Sequence, residues 1–250
     1  MNKKTVRELH TEKRGKVSDK WDSYLSYYDE LLAGLRDREI SMLEVGVQNG
    51  GSMETWSQYF EAGKIFIGCD IDPNCSRLIY DDPRVNIVIG DANSQDAYGQ
   101  ITKLCSAFDL IIDDGSHQSI DVLNSFINYF PLVKPGGIYI VEDSHCLYLK
   151  DFGGGILNEY SAQSFFKKLA DVVSYQWWEN DVSLSAYLQS FFVKTGPPSF
   201  ISEGWIDSIA FRNSVITVRK AQQPGHKKLG DRIVSGTEAL VQTWGGRRPT

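Results

Sequence analysis

The sequence predicts an α/β fold, an open and mostly parallel sheet with helices on both faces and an antiparallel hairpin at its C-terminal end. Three observations point there. Five short β-type runs, Ser41 to Val45, Ile65 to Cys69, Val85 to Ile89, Phe108 to Ile112 and Gly137 to Val141, alternate with stretches of helical character, and that rhythm builds parallel sheets. The runs are largely apolar rather than alternating, as strands buried on both faces must be. Two further runs, Ile206 to Phe211 and Val215 to Arg219, do alternate and are joined by a short polar turn at Arg212-Asn213, which is a hairpin pattern. The chain's 250 residues, 42% of them hydrophobic, suffice for one substantial core.

Taken in order, the elements begin with a helix from Lys20 to Leu35. Trp21, Tyr24, Leu25, Tyr28, Leu31 and Leu32 fall at spacings of three and four, and Gly34 closes the run; such a stripe packs on the main body. Residues 1–36 are therefore read as an N-terminal helical segment, and 37–220 as the α/β domain. Between the fifth strand and the hairpin, Ser161 to Phe192 is rich in aromatics, including Trp177-Trp178. It reads as helices plus an insertion over the sheet edge, with the tryptophans in the core. Residues 221–250 form a Gly-rich basic arm, with Gly225, Gly230, Gly236, Gly245 and Gly246 among Lys227, Lys228, Arg232, Arg247 and Arg248. That composition reads as a solvated arm.

Bulk properties narrow the function. A formal net charge of −6 gives no general attraction to nucleic acid or anionic lipid. Met1-Asn-Lys-Lys leads into a polar stretch and no apolar run approaches a membrane span, so a cytoplasmic protein without membrane insertion is expected. Cys69, Cys75, Cys105 and Cys146 are scattered without CxxC spacing, which indicates neither a disulfide framework nor zinc.

The ends of the strands carry the chemistry. Leu43-Glu44-Val45-Gly46-Val47-Gln48-Asn49-Gly50-Gly51-Ser52 leaves the first strand and opens a helix. In an open parallel sheet ligands bind beyond the carboxyl ends of the strands, where glycines let the backbone turn and approach closely. The second strand ends in Asp70-Ile71-Asp72, offering a carboxylate to ribose hydroxyls, and the third in Gly90-Asp91-Ala92. Each feature alone is a common turn or cap. Together they describe an adenosine pocket, and the loop lacks the GxGxxG of a nicotinamide enzyme.

The loop resembles the E-x-G-x-G-x-G signature of class I S-adenosylmethionine-dependent methyltransferases, with Glu44, Gly46 and Gly50 in register and Gln48 departing from it. Over roughly Met42 to Lys220 the order of elements is similar too, including the terminal hairpin. The resemblance implies a Rossmann-like methyltransferase sheet, with S-adenosylmethionine contacted by Glu44, Gly46, Gly50, Asp70, Asp91 and Asp113.

Two consecutive strands end in Asp113-Asp114-Gly115-Ser116-His117 and Glu142-Asp143-Ser144-His145. If the strands are neighbours, Asp114, Glu142 and Asp143 converge, and crowded carboxylates require a positive charge between them. Oxygen ligands suit Mg²⁺. A sugar hydroxyl is too weak an acid to ionise at neutral pH, so a cation beside it and an imidazole to take its proton meet the need. His117, three residues after Asp114, is the assigned base, with His145 the runner-up as base or as a partner orienting a ligand. The strings I-I-D-D-G-S-H, P-G-G at Pro135 to Gly137 and I-V-E-D-S-H resemble the metal-dependent macrolide-glycosyl and rhamnosyl O-methyltransferases. That resemblance implies Mg²⁺ held by Asp114, Glu142 and Asp143, catalysis by His117 and Asp114, a small-molecule or glycan acceptor, and possible homo-oligomers. A catechol-type O-methyltransferase and a non-catalytic cofactor-binding module remain alternatives. Tyr148 to Phe152 and the triglycine Gly153-Gly154-Gly155 read as a mobile cover over the site.

Overall fold

The computed structural model describes residues 3–179, 182–238 and 240–241. Seven strands form one sheet: β1 (Ser41–Val45), β2 (Ile65–Asp70), β3 (Val85–Ile89), β4 (Phe108–Asp113), β5 (Val133–Val141), β6 (Ile206–Arg212) and β7 (Val215–Lys220). Their spatial order is β3-β2-β1-β4-β5-β7-β6. The first five pair in parallel, and β7 runs antiparallel to both β5 and β6.

Successive side chains of a strand point to opposite faces, and this chain fills both. Leu43, Ile67, Ile111, Tyr139 and Val141 join one apolar core. Met42, Phe66, Leu110, Ile112, Ile138 and Ile140 join the other. The first core is covered by α4 (Gln95–Leu104), α5 (Ser119–Tyr129) and α6 (Ala162–Val173). There Phe126 lies edge-on to Tyr139, Phe165, Phe166 and Phe200 at centroid distances of 5.2, 5.9, 5.1 and 5.8 Å. The second core is covered by α1 (Val6–Glu12), α2 (Asp22–Leu32) and α3 (Gly51–Tyr59). Two short helices, α7 (Leu184–Tyr187) and α8 (Ser199–Ser202), complete the insertion before the hairpin.

Several boundaries differ from the sequence expectation for identifiable reasons. The N-terminal helix passes into a 3₁₀ turn at Ala33–Leu35, so Gly34 lies inside a right-handed turn rather than capping the helix in a left-handed one. β5 starts at Val133, and the irregular pairing opposite Phe108 and Leu110 absorbs Pro135 and Gly136. The hairpin turn is Asn213-Ser214, since β6 runs to Arg212 and Ser214 takes φ +69°. Trp177 is 51% exposed, whereas Trp178 packs edge-on between Tyr175 and Tyr187; only the second is a core residue. The basic arm docks where it leaves β7. His226 bonds the Ser202 carbonyl and stacks edge-on to Tyr175, and the half-buried Lys228 donates its ammonium to the Ile206 carbonyl. Lys228 is therefore a structural partner rather than a solvated charge. Gly245, Gly246, Arg247 and Arg248 lie outside the described residues. Among the described residues no helix is long and apolar enough to cross a membrane.

Candidate active site

The strand register explains why the acids meet. Val45 pairs with Asp113, and Asp113 with Val141, so three strand ends stand in one row. The next residues, Gly46, Asp114 and Glu142, form a second row: the Asp114 N–H donates to the Val45 carbonyl at 2.8 Å and the Glu142 N–H to the Asp113 carbonyl at 2.9 Å. Strand order reverses between β1 and β4, the position where open α/β sheets leave a crevice. A cavity of about 1000 Å³ opens there, floored by Gly46, Val47 and Gln48, flanked by Asp70, Asp91 and Asp113, and reaching Asp114, His117, Glu142 and Asp143.

Each residue expected to contact the cofactor has a definite setting, and Gly46, Asp70, Asp91 and Asp113 line the cavity whereas Glu44 and Gly50 are not in its lining. Gly46 has φ +86°, and a Cβ there would lie 2.1 Å from the Asp114 carbonyl oxygen. Gly50, at φ +78°, is the N-cap of α3. Asp70 accepts the N–H groups of Val47 at 2.8 Å and Gln48 at 2.7 Å on one oxygen and that of Asp72 at 2.8 Å on the other, so its carboxylate braces the loop as well as lining the cavity. Asp91 is exposed and accepts the Asn93 N–H. Glu44 is wholly buried; Ser52 donates to one of its oxygens at 2.7 Å, and the other has no hydrogen-bond donor. Asp113 is buried, accepts from Tyr139 at 3.1 Å, and is pushed up to about 6 by desolvation.

Further along the cavity, one ligand atom each from Asp114, His117 and Asp143 lie within 4.8 Å of one another, all partly exposed. Two carboxylates and an imidazole at that spacing suit a divalent cation. Nε2 of His117 is 3.7 Å from Asp143 Oδ2. Glu142 sits deeper: Tyr28 donates to Oε1 at 2.5 Å and Lys20 to Oε2 at 2.8 Å, while burial pushes its carboxyl up. Asp143 Oδ1 accepts from Tyr24 at 2.7 Å and from the Trp21 indole at 3.0 Å. His145 bonds Ser214 through Nδ1 at 2.5 Å, with Nδ1 3.8 Å from Asp143.

Backbone strain concentrates here as well. Among the described residues the non-glycine positions with positive φ are Gln48 (+48°), His117 (+56°), Asp143 (+48°) and Ser214 (+69°). The first three line the cavity, and the fourth bonds Tyr24 and His145 beside it. Such conformations persist only where the surroundings enforce them, and they cluster at functional sites.

A family profile for methyltransferase domains matches residues 43–144. Among solved structures, that of the MycE methyltransferase of the mycinamycin biosynthetic pathway, in complex with Mg and SAH, superposes with a TM-score of 0.70 at 26% identity, covering 88% of this chain and 55% of its own. The chain shares the Rossmann-like fold of this methyltransferase. Two curated relatives are similar to this chain. The 8-demethyl-8-alpha-L-rhamnosyl tetracenomycin-C 2'-O-methyltransferase of Streptomyces olivaceus is 28% identical over 84% of this chain and 53% of its own. The mycinamicin VI 2''-O-methyltransferase of Micromonospora griseorubida is 33% identical over 65% and 42%. The chain thus spans about half the length of these relatives.

Sequence reading missed the N-terminal contribution. Trp21, Tyr24 and Tyr28 were legible only as part of a packing stripe and Lys20 only as the start of its helix, yet all four donate hydrogen bonds to the acid cluster. One signal was present, because a tyrosine on a buried helix face needs a partner for its hydroxyl. The triglycine also behaves differently from a hinge. The N–H groups of Gly153, Gly154 and Gly155 donate to Lys150, Leu149 and Leu147, and a Cβ on Gly154 would lie 2.1 Å from the Leu147 carbonyl oxygen. Glycine there permits close packing.

Proposed function

We propose that the protein transfers the methyl group of S-adenosylmethionine to a hydroxyl of a sugar or glycosylated metabolite, assisted by Mg²⁺. The observation that carries this reading is the junction of two environments in one cavity: a loop cornered by Gly46, and the cluster of Asp114, His117 and Asp143. The matched relatives methylate sugar hydroxyls by their names, and the neighbouring structure holds Mg and SAH.

Asp114, Glu142 and Asp143 are the proposed metal residues, with His117 contributing a nitrogen or serving as base. A divalent cation held there supplies Lewis acidity toward the acceptor hydroxyl. His117 takes the hydroxyl proton as the oxygen attacks the methyl carbon and the sulfur–carbon bond breaks. Asp143, 3.7 Å from Nε2, opposes the charge the imidazole then carries. The adenosine side is assigned to Glu44, Gly46, Gly50, Asp70, Asp91 and Asp113. Val17 to Trp21 close over the cavity from the N-terminal side, and excluding water there strengthens each of these electrostatic contacts.

Calorimetric titration with S-adenosylmethionine and SAH, with Mg²⁺ and after chelation, tests the reading. Binding of either donor form, with a separate chelator-sensitive Mg²⁺ site, supports it; absence of binding under every condition removes it. His117→Ala should keep SAH affinity within a few-fold and lower turnover of a rhamnosyl or macrolide-glycosyl acceptor by about 10²- to 10⁴-fold. Full activity in that variant would move the base elsewhere.

A further inference from the structure

Lys20 is a cation in the site that neither the motifs nor the proposed chemistry uses. It precedes α2, and its side chain, 6% exposed, crosses from the N-terminal segment into the acid cluster. Nζ lies 2.6 Å from Asp114 Oδ2, 2.8 Å from Glu142 Oε2 and 3.7 Å from Glu44 Oε1. An ammonium removed from water is retained only where its attraction to nearby carboxylates offsets desolvation, and here three carboxylates lie within 4 Å of it. The segment that carries it is anchored independently. Lys16 pairs with Glu54 through its ammonium at 2.9 Å and its N–H at 2.8 Å, and the Gly51 N–H donates to the Val17 carbonyl at 3.0 Å. A Cβ on Gly51 would lie 2.3 Å from the Lys16 carbonyl oxygen and 2.4 Å from that of Val17.

We infer that Lys20 is a built-in counter-cation, a positioning residue that neutralises Glu44, Asp114 and Glu142 when no metal is bound and sets how tightly a divalent cation is held. This inference rests on the metal reading proposed above. Its ammonium fixes one oxygen of Asp114 and leaves the carboxylate in the group shared with His117 and Asp143. The same charge repels an incoming cation, so the site is stable while empty and its metal affinity is moderated. By tying the acid cluster to Val17–Trp21, Lys20 also couples the acids to the wall of the cofactor cavity.

The test is Mn²⁺ titration by calorimetry, together with thermal melts in chelator and in saturating MnCl₂, on wild type, Lys20→Met and Lys20→Arg. Lys20→Met keeps the length and removes the charge. It should melt below wild type in chelator, bind Mn²⁺ about tenfold more tightly or better, and gain more than wild type from MnCl₂; Lys20→Arg should track wild type. A purely packing role lowers the melt of Lys20→Met without altering Mn²⁺ affinity, and that result overturns the inference alone. Mn²⁺ that binds no variant overturns the metal reading and this inference with it. If Lys20→Met does not fold, the pair K20M/E142Q carries the test, since it removes the ammonium together with the more buried of the two carboxylates that accept from it: folding in chelator supports charge compensation, and failure to fold refutes it.

Discussion

A methyl group on residue 46 would collide with backbone, because the Asp114 carbonyl oxygen lies 2.1 Å from its ideal position and φ is +86°. The β1–α3 loop and the first acid of the cluster are therefore set against each other by the smallest side chain available. Gly46→Ala should abolish SAH binding and lower stability by roughly 2 kcal/mol or more. Gln48, also left-handed at φ +48°, is the converse case. The class I methyltransferase signature that this loop resembles has glycine in its place, so Gln48→Gly should retain SAH binding and change stability by no more than about 1 kcal/mol. Calorimetry and urea melts on the two variants check both, and equal loss in both would deny the loop its role. Asp113 gives a pH dependence. Burial raises its folded-state pKa to about 6, above the roughly 4 of an unfolded Asp. The folded state thus favours the protonated form, a contribution present below about pH 4 and lost as pH rises through about 6. Asp113→Asn cannot ionise and should gain stability on wild type across that window, by up to about 3 kcal/mol. Urea midpoints in chelator at acidic and neutral pH read the change, and a pH-independent difference would refute it.

At the scale of elements, the five parallel strands were legible because strands buried on both faces have to be apolar at nearly every position, while the helices between them are recognisable by contrast. β5 was read four residues short, since Pro135 and Gly136 look like a break and only the irregular pairing with β4 accommodates them. Helix α1 was missed, although Thr5-Val6-Arg7-Glu8 carries its start signal. The Thr5 hydroxyl accepts the Glu8 N–H at 3.1 Å and Glu8 accepts the Thr5 N–H at 2.8 Å, a reciprocal capping box. The helix has seven residues and buries only Val6, too few to show a periodic stripe. Its capping therefore matters more than its packing, and Thr5→Ala should cost about 1 kcal/mol, read as a lower urea midpoint with an unchanged slope. No change would mean that contacts with α2 and α3 hold α1 regardless of its cap.

For the whole molecule, the position of the site follows from topology. Reversal of strand order between β1 and β4 opens the crevice, and register puts Asp114 beside Glu142. The convergence of the two acidic strand ends was legible because consecutive strands of such sheets are usually neighbours. The Lys20 contacts were not, because they join positions 94 and 122 residues apart, and no local pattern encodes a partner at that distance. Closing the cavity with this distant segment has a consequence for dynamics. If Val17 to Trp21 must lift for the donor to enter, then donor and open segment exclude one another, and ligand at a free concentration about 100 times its Kd should reduce the open population about a hundredfold. Lys13, Arg14, Lys16 and Lys20 supply tryptic sites in and beside the segment. When closing is fast relative to cleavage, proteolysis follows the open population, so SAH should slow cleavage there by up to the same factor, with fragments identified by mass. A cleavage rate indifferent to SAH would mean that the segment stays seated while ligand comes and goes by the rim of β2 and β3.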